Sequence, residues 1–130
     1  MIYAIGIDTV DIVRLQEWRT YSRKQLRRIF SDQEIDYCLE HVALSAQRFA
    51  ARFAAREAFF KALSMYNPHH TISFLHVCKL LSIIKINTIP TIHIEQKNKM
   101  ELFNSTTVEI LLSLTHSIDT ATAIVLLQSS

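Results

Sequence analysis

Gly6 is the only glycine in this chain of 130 residues. Glycine-rich phosphate loops of the Walker and dinucleotide-binding types need several glycines at fixed spacing, so the sequence excludes folds that depend on them. Any bound phosphate must therefore be held by side chains or by a metal ion. At this length we expect one domain over residues 1–130.

Composition and charge exclude several classes of protein. Hydrophobic residues make up 49% of the chain and charged residues 20%, which is typical of a packed core, and the formal net charge of +2 does not predict nucleic-acid binding. No run approaches the ~18 apolar residues of a membrane helix, because Lys79 and Lys85 interrupt the most apolar region. Asp8 stands where a signal peptide would continue its apolar run. Cys38 and Cys78 are too few and too far apart for a disulfide scaffold or a zinc site, so we expect a cytoplasmic protein.

The residue pattern predicts an α+β protein. Ser31 followed by Glu34 has the spacing of a capping box, which favours a helix over residues 32–41. Other helices are expected over residues 15–29, 46–63 and 98–104. Strands are expected over residues 2–7, at two places among the β-branched residues 71–94 with a turn near 87–90, and over residues 108–115 and 120–127 around a short loop.

The helix predicted over residues 46–63 carries an acidic residue on its apolar side. Phe49, Phe53 and Phe60 lie on one arc at about 100° per residue, and Glu57 falls in the middle of that arc. An unpaired buried carboxylate is costly, so Glu57 must bind a cation, pair with a base or leave that face open to water. Lys61, one turn further on, offers a simple ion pair as the alternative explanation.

Other polar residues are weaker candidates. Asp8 follows an apolar strand, and together with Glu57 it could supply part of the oxygen shell of Mg²⁺. His116, in the loop between the last two strands, could be a phosphate donor, a general base or an ordinary loop histidine. Arg52 and Arg56, four residues apart, flank the apolar arc and are expected on a solvated face.

Three segments resemble those of a known family. They are Ile5-Gly6-Ile7-Asp8 with Asp11 and Arg14, then Arg52-Phe53-Ala54-Ala55-Arg56-Glu57-Ala58-Phe59 with Lys61-Ala62-Leu63, and finally Leu112-Ser113-Leu114-Thr115-His116. In this order they resemble the holo-acyl-carrier-protein synthase family, the short trimeric 4′-phosphopantetheinyl transferases. The resemblance covers nearly the whole chain and implies that fold, an antiparallel sheet packed on a long helix.

The resemblance also implies a reaction. Members of the family transfer the 4′-phosphopantetheine arm of coenzyme A to a serine of apo-acyl carrier protein and leave adenosine 3′,5′-bisphosphate. Asp8 and Glu57 would bind Mg²⁺ and act in catalysis with Lys61. A carboxylate or a water molecule would accept the serine proton, and the sequence does not choose between them. The residues implied to contact coenzyme A are Arg52, Lys61, Pro90, His116 and Ser117.

The family's partners account for the basic segment. Acyl carrier proteins are acidic, so Arg14, Arg23, Arg27 and Arg28 would attract one by charge, and between Arg14 and Arg28 only Glu17 opposes the cations. Family active sites lie between neighbouring subunits of a trimer. A non-catalytic relative that binds acyl carrier protein is the alternative. A nucleic-acid module on the basic segment is disfavoured because no recognised motif is present.

The chain departs from the family pattern in two turns. It has Ser64-Met65-Tyr66-Asn67-Pro68 and Thr88-Ile89-Pro90 where the family usually has glycine-containing turns. Within the central segment, Arg56 replaces a common lysine.

Overall fold

The longest element of the chain is a 25-residue helix, on which most of the other elements pack. The computed structural model describes residues 1–130 and confirms the α+β class, with antiparallel sheets and a long helix. In chain order the elements are β1 (Ile2–Asp11), two 3₁₀ turns (Ile12–Leu15 and Trp18–Thr20), α1 (Arg23–Leu26), α2 (Asp32–Leu39), α3 (Val42–Tyr66), α4 (Phe74–Leu80), β2 (Ser82–Ile86), β3 (Ile89–His93), α5 (Gln96–Phe103), β4 (Val108–His116) and β5 (Thr120–Ser129).

The larger sheet has the strand order β1-β5-β4 and is antiparallel throughout. Alternate residues of β5 face α3, and these are small: Ala121, Ala123 and Val125 are completely buried. Alanines dominate the facing side of α3, so the sheet and the helix pack closely. β2 and β3 form a separate hairpin.

Gly6 lies where β1 crosses α3. A Cβ atom at this position would lie 1.9 Å from the carbonyl oxygen of Ala58 and 2.9 Å from the backbone nitrogen of Ala62. Only glycine therefore permits this approach. The close crossing brings Asp8, two residues further along the strand, to the side of α3.

Several predicted elements are confirmed, with different lengths. The capping box of Ser31 and Glu34 begins α2, and α3 extends beyond the predicted residues 46–63 at both ends. The region read only as strands also contains a helix, α4, which Ser73 caps. No helix of the chain is long and apolar enough to cross a membrane.

The predicted helix over residues 15–29 is wrong. Two 3₁₀ turns come first, and Ser22 then caps the single-turn helix α1 with its own capping box. The ring of Trp18 packs against Phe30, Phe49 and Phe53 at centroid distances of 5.8, 6.3 and 5.5 Å. Burying this large ring and satisfying the Ser22 cap together interrupt the helical path that the spacing of the cations indicated.

The β2–β3 hairpin turns without glycine. Asn87 and Thr88 have φ values of 51° and 67°, in the left-handed region. Two successive residues of positive φ are typical of a tight hairpin turn, in which glycine is normally favoured. Thr88 is β-branched, so its backbone is strained there.

Candidate active site

β1 and α3 bring Asp8, Glu57 and Lys61 together. Lys61 Nζ donates to Asp8 Oδ1 at 2.9 Å and to the carbonyl oxygen of Ile7 at 3.0 Å. The Asp8 side chain is only 11% exposed. Because Lys61 pairs with Asp8, it does not form the simple ion pair with Glu57 that helical spacing allowed.

The two carboxyl groups influence each other. Burial raises the pKa of Glu57, and the neighbouring Asp8 carboxylate raises it further, while the positive charges of Lys61 and Arg14 oppose the shift. Asp8 Oδ2 is buried and has no hydrogen-bond partner. Two adjacent carboxylates with an unused buried oxygen form an arrangement that a bound cation would stabilise.

These residues fit Mg²⁺. The donors are carboxylate oxygens, which Mg²⁺ prefers, and the chain gathers no group of three or more His, Cys, Asp or Glu that could enclose a metal by itself. Mg²⁺ commonly takes one or two protein carboxylates and completes its shell with water and substrate phosphates. Asp8 and Glu57 would hold the ion.

A small cavity adjoins this carboxylate pair. Glu57, Phe60, Lys61 and Phe74 line a space of about 190 Å³. The rings of Phe60 and Phe74 meet edge to face with centroids 5.6 Å apart. The cavity therefore combines an apolar wall with one acidic and one basic group, which suits a ligand with both apolar and phosphate parts.

A second cavity, of about 280 Å³, is cationic. Arg48, Arg52 and Lys85 surround the ring of Tyr37, with the guanidinium carbons 3.9 and 4.4 Å and the ammonium nitrogen 4.7 Å from its centroid. We call this cavity the cationic pocket. The remaining residues that line it are Leu44, Gln47, Ala51, Pro90, Leu114, Thr115 and His116.

Arg52 is the buried cation of the cationic pocket. It is 5% exposed, it forms no ion pair within the chain, and its Nε has no hydrogen-bond partner. The expectation of a solvated face is therefore wrong for this residue. A buried guanidinium without an acidic partner is costly, so the pocket favours an anionic ligand.

Arg56 is completely buried, so the expectation of a solvated face is wrong here too. Its two terminal nitrogens donate to the two carboxylate oxygens of Glu34 at 2.7 and 2.6 Å, and it also donates to the carbonyl oxygens of Cys78 and Leu81. This pair joins α2 to α3. The pattern of α3 alone could not reveal it, because Glu34 lies on another element.

The residues implied to contact coenzyme A fall into three places. Arg52, Pro90 and His116 line the cationic pocket, where His116 Nε2 is 3.0 Å from Gln47 Nε2. Lys61 lies with the carboxylates. Ser117 lies in the β4–β5 turn, where its Oγ accepts from the backbone amides of Asp119 and Thr120 at 3.3 and 3.2 Å.

Within one chain the carboxylate pair and the cationic pocket are separate. The two cavities share no lining residue. Glu57 lies five positions after Arg52 on α3, which places their side chains about 140° apart around the helix. Sequence reasoning missed Arg48, Lys85 and Tyr37, because no local pattern indicates that α2, α3 and β2 meet.

Some arginines of the basic segment form ion pairs within the chain, which the sequence did not indicate. Arg23 pairs with Asp32 at 3.1 Å and with Asp36 at 2.6 Å, and Arg27 pairs with Asp32 at 2.8 Å. Glu17 is the only acid between Arg14 and Arg28, but α2 supplies two further acids that pair with cations of this segment. The two remaining arginines proposed to bind the carrier form no ion pair within the chain: Arg14 and Arg28.

Comparison with known proteins identifies the family. A family model described as the 4′-phosphopantetheinyl transferase superfamily matches residues 4–116. The holo-acyl-carrier-protein synthase of Chlamydia caviae is 34% identical over 121 residues, which cover 92% of each protein. The chain belongs to the holo-acyl-carrier-protein synthase family. Over a shorter stretch of 66 residues it is 48% identical to the synthase of Geotalea daltonii.

The synthase fold extends over nearly the whole chain. The chain superposes on the solved synthase–coenzyme A complex of Chronobacterium ammoniagenes with a TM-score of 0.80 at 25% identity, covering 97% of this chain and 96% of that one. In sequence, the match to the Geotalea daltonii synthase covers 48% of this chain and 50% of that relative, so it spans about half of the relative's length.

Proposed function

We propose that this chain transfers the 4′-phosphopantetheine group of coenzyme A to a serine of an apo-acyl carrier protein. The observation that carries the proposal is the Asp8, Glu57 and Lys61 cluster, with one carboxylate oxygen buried and unused. A serine oxygen forms a new bond to the pantetheine phosphorus. The phosphorus–oxygen bond to adenosine 3′,5′-bisphosphate breaks, and a carboxylate of the pair or a water molecule accepts the serine proton.

Each residue of the cluster has its own part in this proposal. Asp8 and Glu57 hold Mg²⁺, which when bound neutralises charge on the diphosphate and makes the phosphorus more reactive. Lys61 donates to Oδ1 of Asp8, whereas Oδ2 has no hydrogen-bond partner and would be available to the ion. The Lys61 side chain is 56% exposed, so its ammonium group also remains available to a phosphate oxygen.

We assign the cationic pocket to the phosphate groups of the nucleotide half of coenzyme A. Arg52 brings a buried positive charge without an acidic partner, and His116 and Pro90 line the same cavity. Side-chain cations thus take the place of backbone amides, as a chain with one glycine requires. Ser117, held in its turn, lies outside this cavity and has at most a contact at its rim.

We propose a homotrimer with active sites between subunits. One coenzyme A molecule must reach both the carboxylate pair and a cationic pocket, yet within one chain these lie on different sides of α3. The outer face of the larger sheet also exposes Ile5, Ile7 and Ile124, an apolar surface that a neighbouring subunit would cover.

We propose that the carrier protein approaches the basic segment, with Arg14 and Arg28 as the cations that act most strongly. Both are free of intrachain ion pairs, whereas acids of α2 already neutralise Arg23 and Arg27 in part. The positive charge of Arg14 also opposes the rise in the pKa of Glu57, which supports a role for this arginine near the carboxylate pair. The two free cysteines favour the cytoplasm as the compartment of this reaction.

Intact-mass measurement tests the proposal directly. The chain is incubated with coenzyme A, Mg²⁺ and an apo-acyl carrier protein, and the carrier is expected to gain one phosphopantetheine group. Asp8→Ala and Glu57→Ala should abolish the gain, while gel filtration shows unchanged assembly. If the chain binds the carrier and the mass of the carrier does not change, the chain is instead the non-catalytic relative. Full activity of either variant would exclude the two-carboxylate site.

A further inference from the structure

Tyr37 lies at the centre of the cationic pocket, although it carries no charge itself. It projects from α2, while Arg48 and Arg52 come from α3 and Lys85 from β2. The two guanidinium groups lie over its ring, and Lys85 Nζ donates to its hydroxyl oxygen at 2.8 Å. One side chain therefore contacts every cation of the pocket.

The three cations have few other contacts that hold them. Arg48 donates to the carbonyl oxygen of Tyr37 at 2.7 Å and to Glu40 at 3.2 Å. Arg52 has one long hydrogen bond, of 3.5 Å to the carbonyl oxygen of Arg48, and Lys85 has only the Tyr37 hydroxyl. The like charges repel one another, so without the ring these side chains would spread apart.

The chemistry of a phenol suits this arrangement. The negative face of an aromatic ring attracts guanidinium and ammonium groups, and the phenol oxygen accepts a hydrogen bond from an ammonium. Burial raises the pKa of the Tyr37 hydroxyl, but the Lys85 hydrogen bond and the charges of Arg48, Lys85 and Arg52 outweigh it and lower the pKa overall. The hydroxyl oxygen therefore lies in a positive field and accepts the hydrogen bond from Lys85.

We propose that Tyr37 is a positioning residue, whose ring and hydroxyl hold Arg48, Arg52 and Lys85 in place to bind the phosphates of coenzyme A. This inference rests on the proposed function, since it concerns the same substrate. It adds Lys85 and Arg48 to the phosphate contacts. The two parts of the Tyr37 side chain have different roles: the ring orients the two arginines, and the hydroxyl orients Lys85.

Binding of adenosine 3′,5′-bisphosphate tests the proposal without requiring turnover. Isothermal titration calorimetry of the full chain should show about tenfold weaker binding or more for Tyr37→Leu, which removes the ring. Tyr37→Phe keeps the ring and should weaken binding only about threefold, as should Lys85→Met. Lys79→Met is the matched control, because Lys79 is exposed, lies outside this pocket and carries the same charge.

Combining variants separates positioning from simple loss of charge. If the hydroxyl acts through Lys85, the double variant Tyr37→Phe/Lys85→Met binds no more weakly than Lys85→Met alone. In steady-state kinetics Tyr37→Leu should raise KM for coenzyme A while kcat and KM for the carrier protein change little. A residue that merely supported α2 would alter all three together.

The outcomes distinguish this inference from the proposed function. If the unaltered chain neither modifies a carrier nor binds the bisphosphate, the proposed function fails. If it does both, and a folded Tyr37→Leu variant binds within twofold of it, the role of the ring is refuted. If Tyr37→Leu does not fold, the hydroxyl decides: Tyr37→Phe binding as tightly as the unaltered chain, or losses that add in the double variant, would overturn the proposal.

Discussion

Gly6→Ala tests whether the crossing of β1 over α3 builds the active site. The new Cβ would lie 1.9 Å from the Ala58 carbonyl oxygen, whereas ordinary contacts begin near 3.4 Å. Strand and helix must therefore separate by about 1.5 Å. Both sides of this contact are backbone, so we expect the upper end of overpacking costs, about 3 kcal/mol, and a melting temperature lower by about 10 °C.

The same displacement should also lower the activity. Asp8 follows Gly6 by two residues, and moving a reactive group by about 1 Å can reduce a rate about 100-fold. Thermal unfolding and carrier modification at 20 °C, where the variant is still folded, would be measured together. Thr9→Ala, on the outer face of β1, is the matched control. Because the clash is with a backbone oxygen, adding Ala58→Gly should not restore activity. A melting temperature within ~2 °C and unchanged transfer would refute the reasoning.

Three further predictions concern the electrostatics. Because the pKa of Glu57 is raised above its ordinary value of 4.5, stability contributed by its protonated form is present below that value and lost as the pH rises through the raised pKa. Without Mg²⁺, Glu57→Gln should therefore gain stability relative to the unaltered chain as the pH rises across that window in urea titrations, and a loss at neutral pH would contradict this. Glu34→Gln should lower the free energy of unfolding by about 3 kcal/mol, because it leaves Arg56 charged and buried. The double variant Glu34→Met with Arg56→Met should recover most of this loss. Equal losses for the two variants in chemical denaturation would argue against a structural pair. Arg28→Glu should raise KM for the carrier more than Arg27→Glu does, and this difference should decrease as salt is added. Equal effects would show that the intrachain ion pairs do not influence carrier binding.

The sequence predicted the centre of the site better than its surroundings. Glu57 is recognisable because a carboxylate on an apolar helical arc is costly unless something pairs with it. Asp8 is recognisable because it ends an apolar run, although β1 does not end at residue 7 as expected but continues through Asp8 to Asp11. Both inferences use a single element and its period. The resemblance then joined the two residues, and the structure places them side by side with Lys61 on Asp8.

Contacts between distant elements could not be predicted in this way. Glu34 was correctly assigned to a capping box, but the same carboxylate also accepts both bonds from Arg56, 22 residues away. Arg56 therefore looked like a surface residue. Lys85 similarly gives no local signal, because only the pairing of β2 with β3 and the position of α2 bring it to Tyr37.

The strained turn at Asn87 and Thr88 has a consequence for motion. β2 and β3 pair only with each other, so no third strand forms hydrogen bonds with this hairpin or stabilises its tip. A β-branched residue at positive φ destabilises the closed turn and so favours its local opening. We therefore expect backbone amides near the tip to exchange with deuterium faster than those of β5. Lys85 and Pro90 flank this tip, so we expect the wall of the cationic pocket that they form to open more readily than the wall that α3 forms.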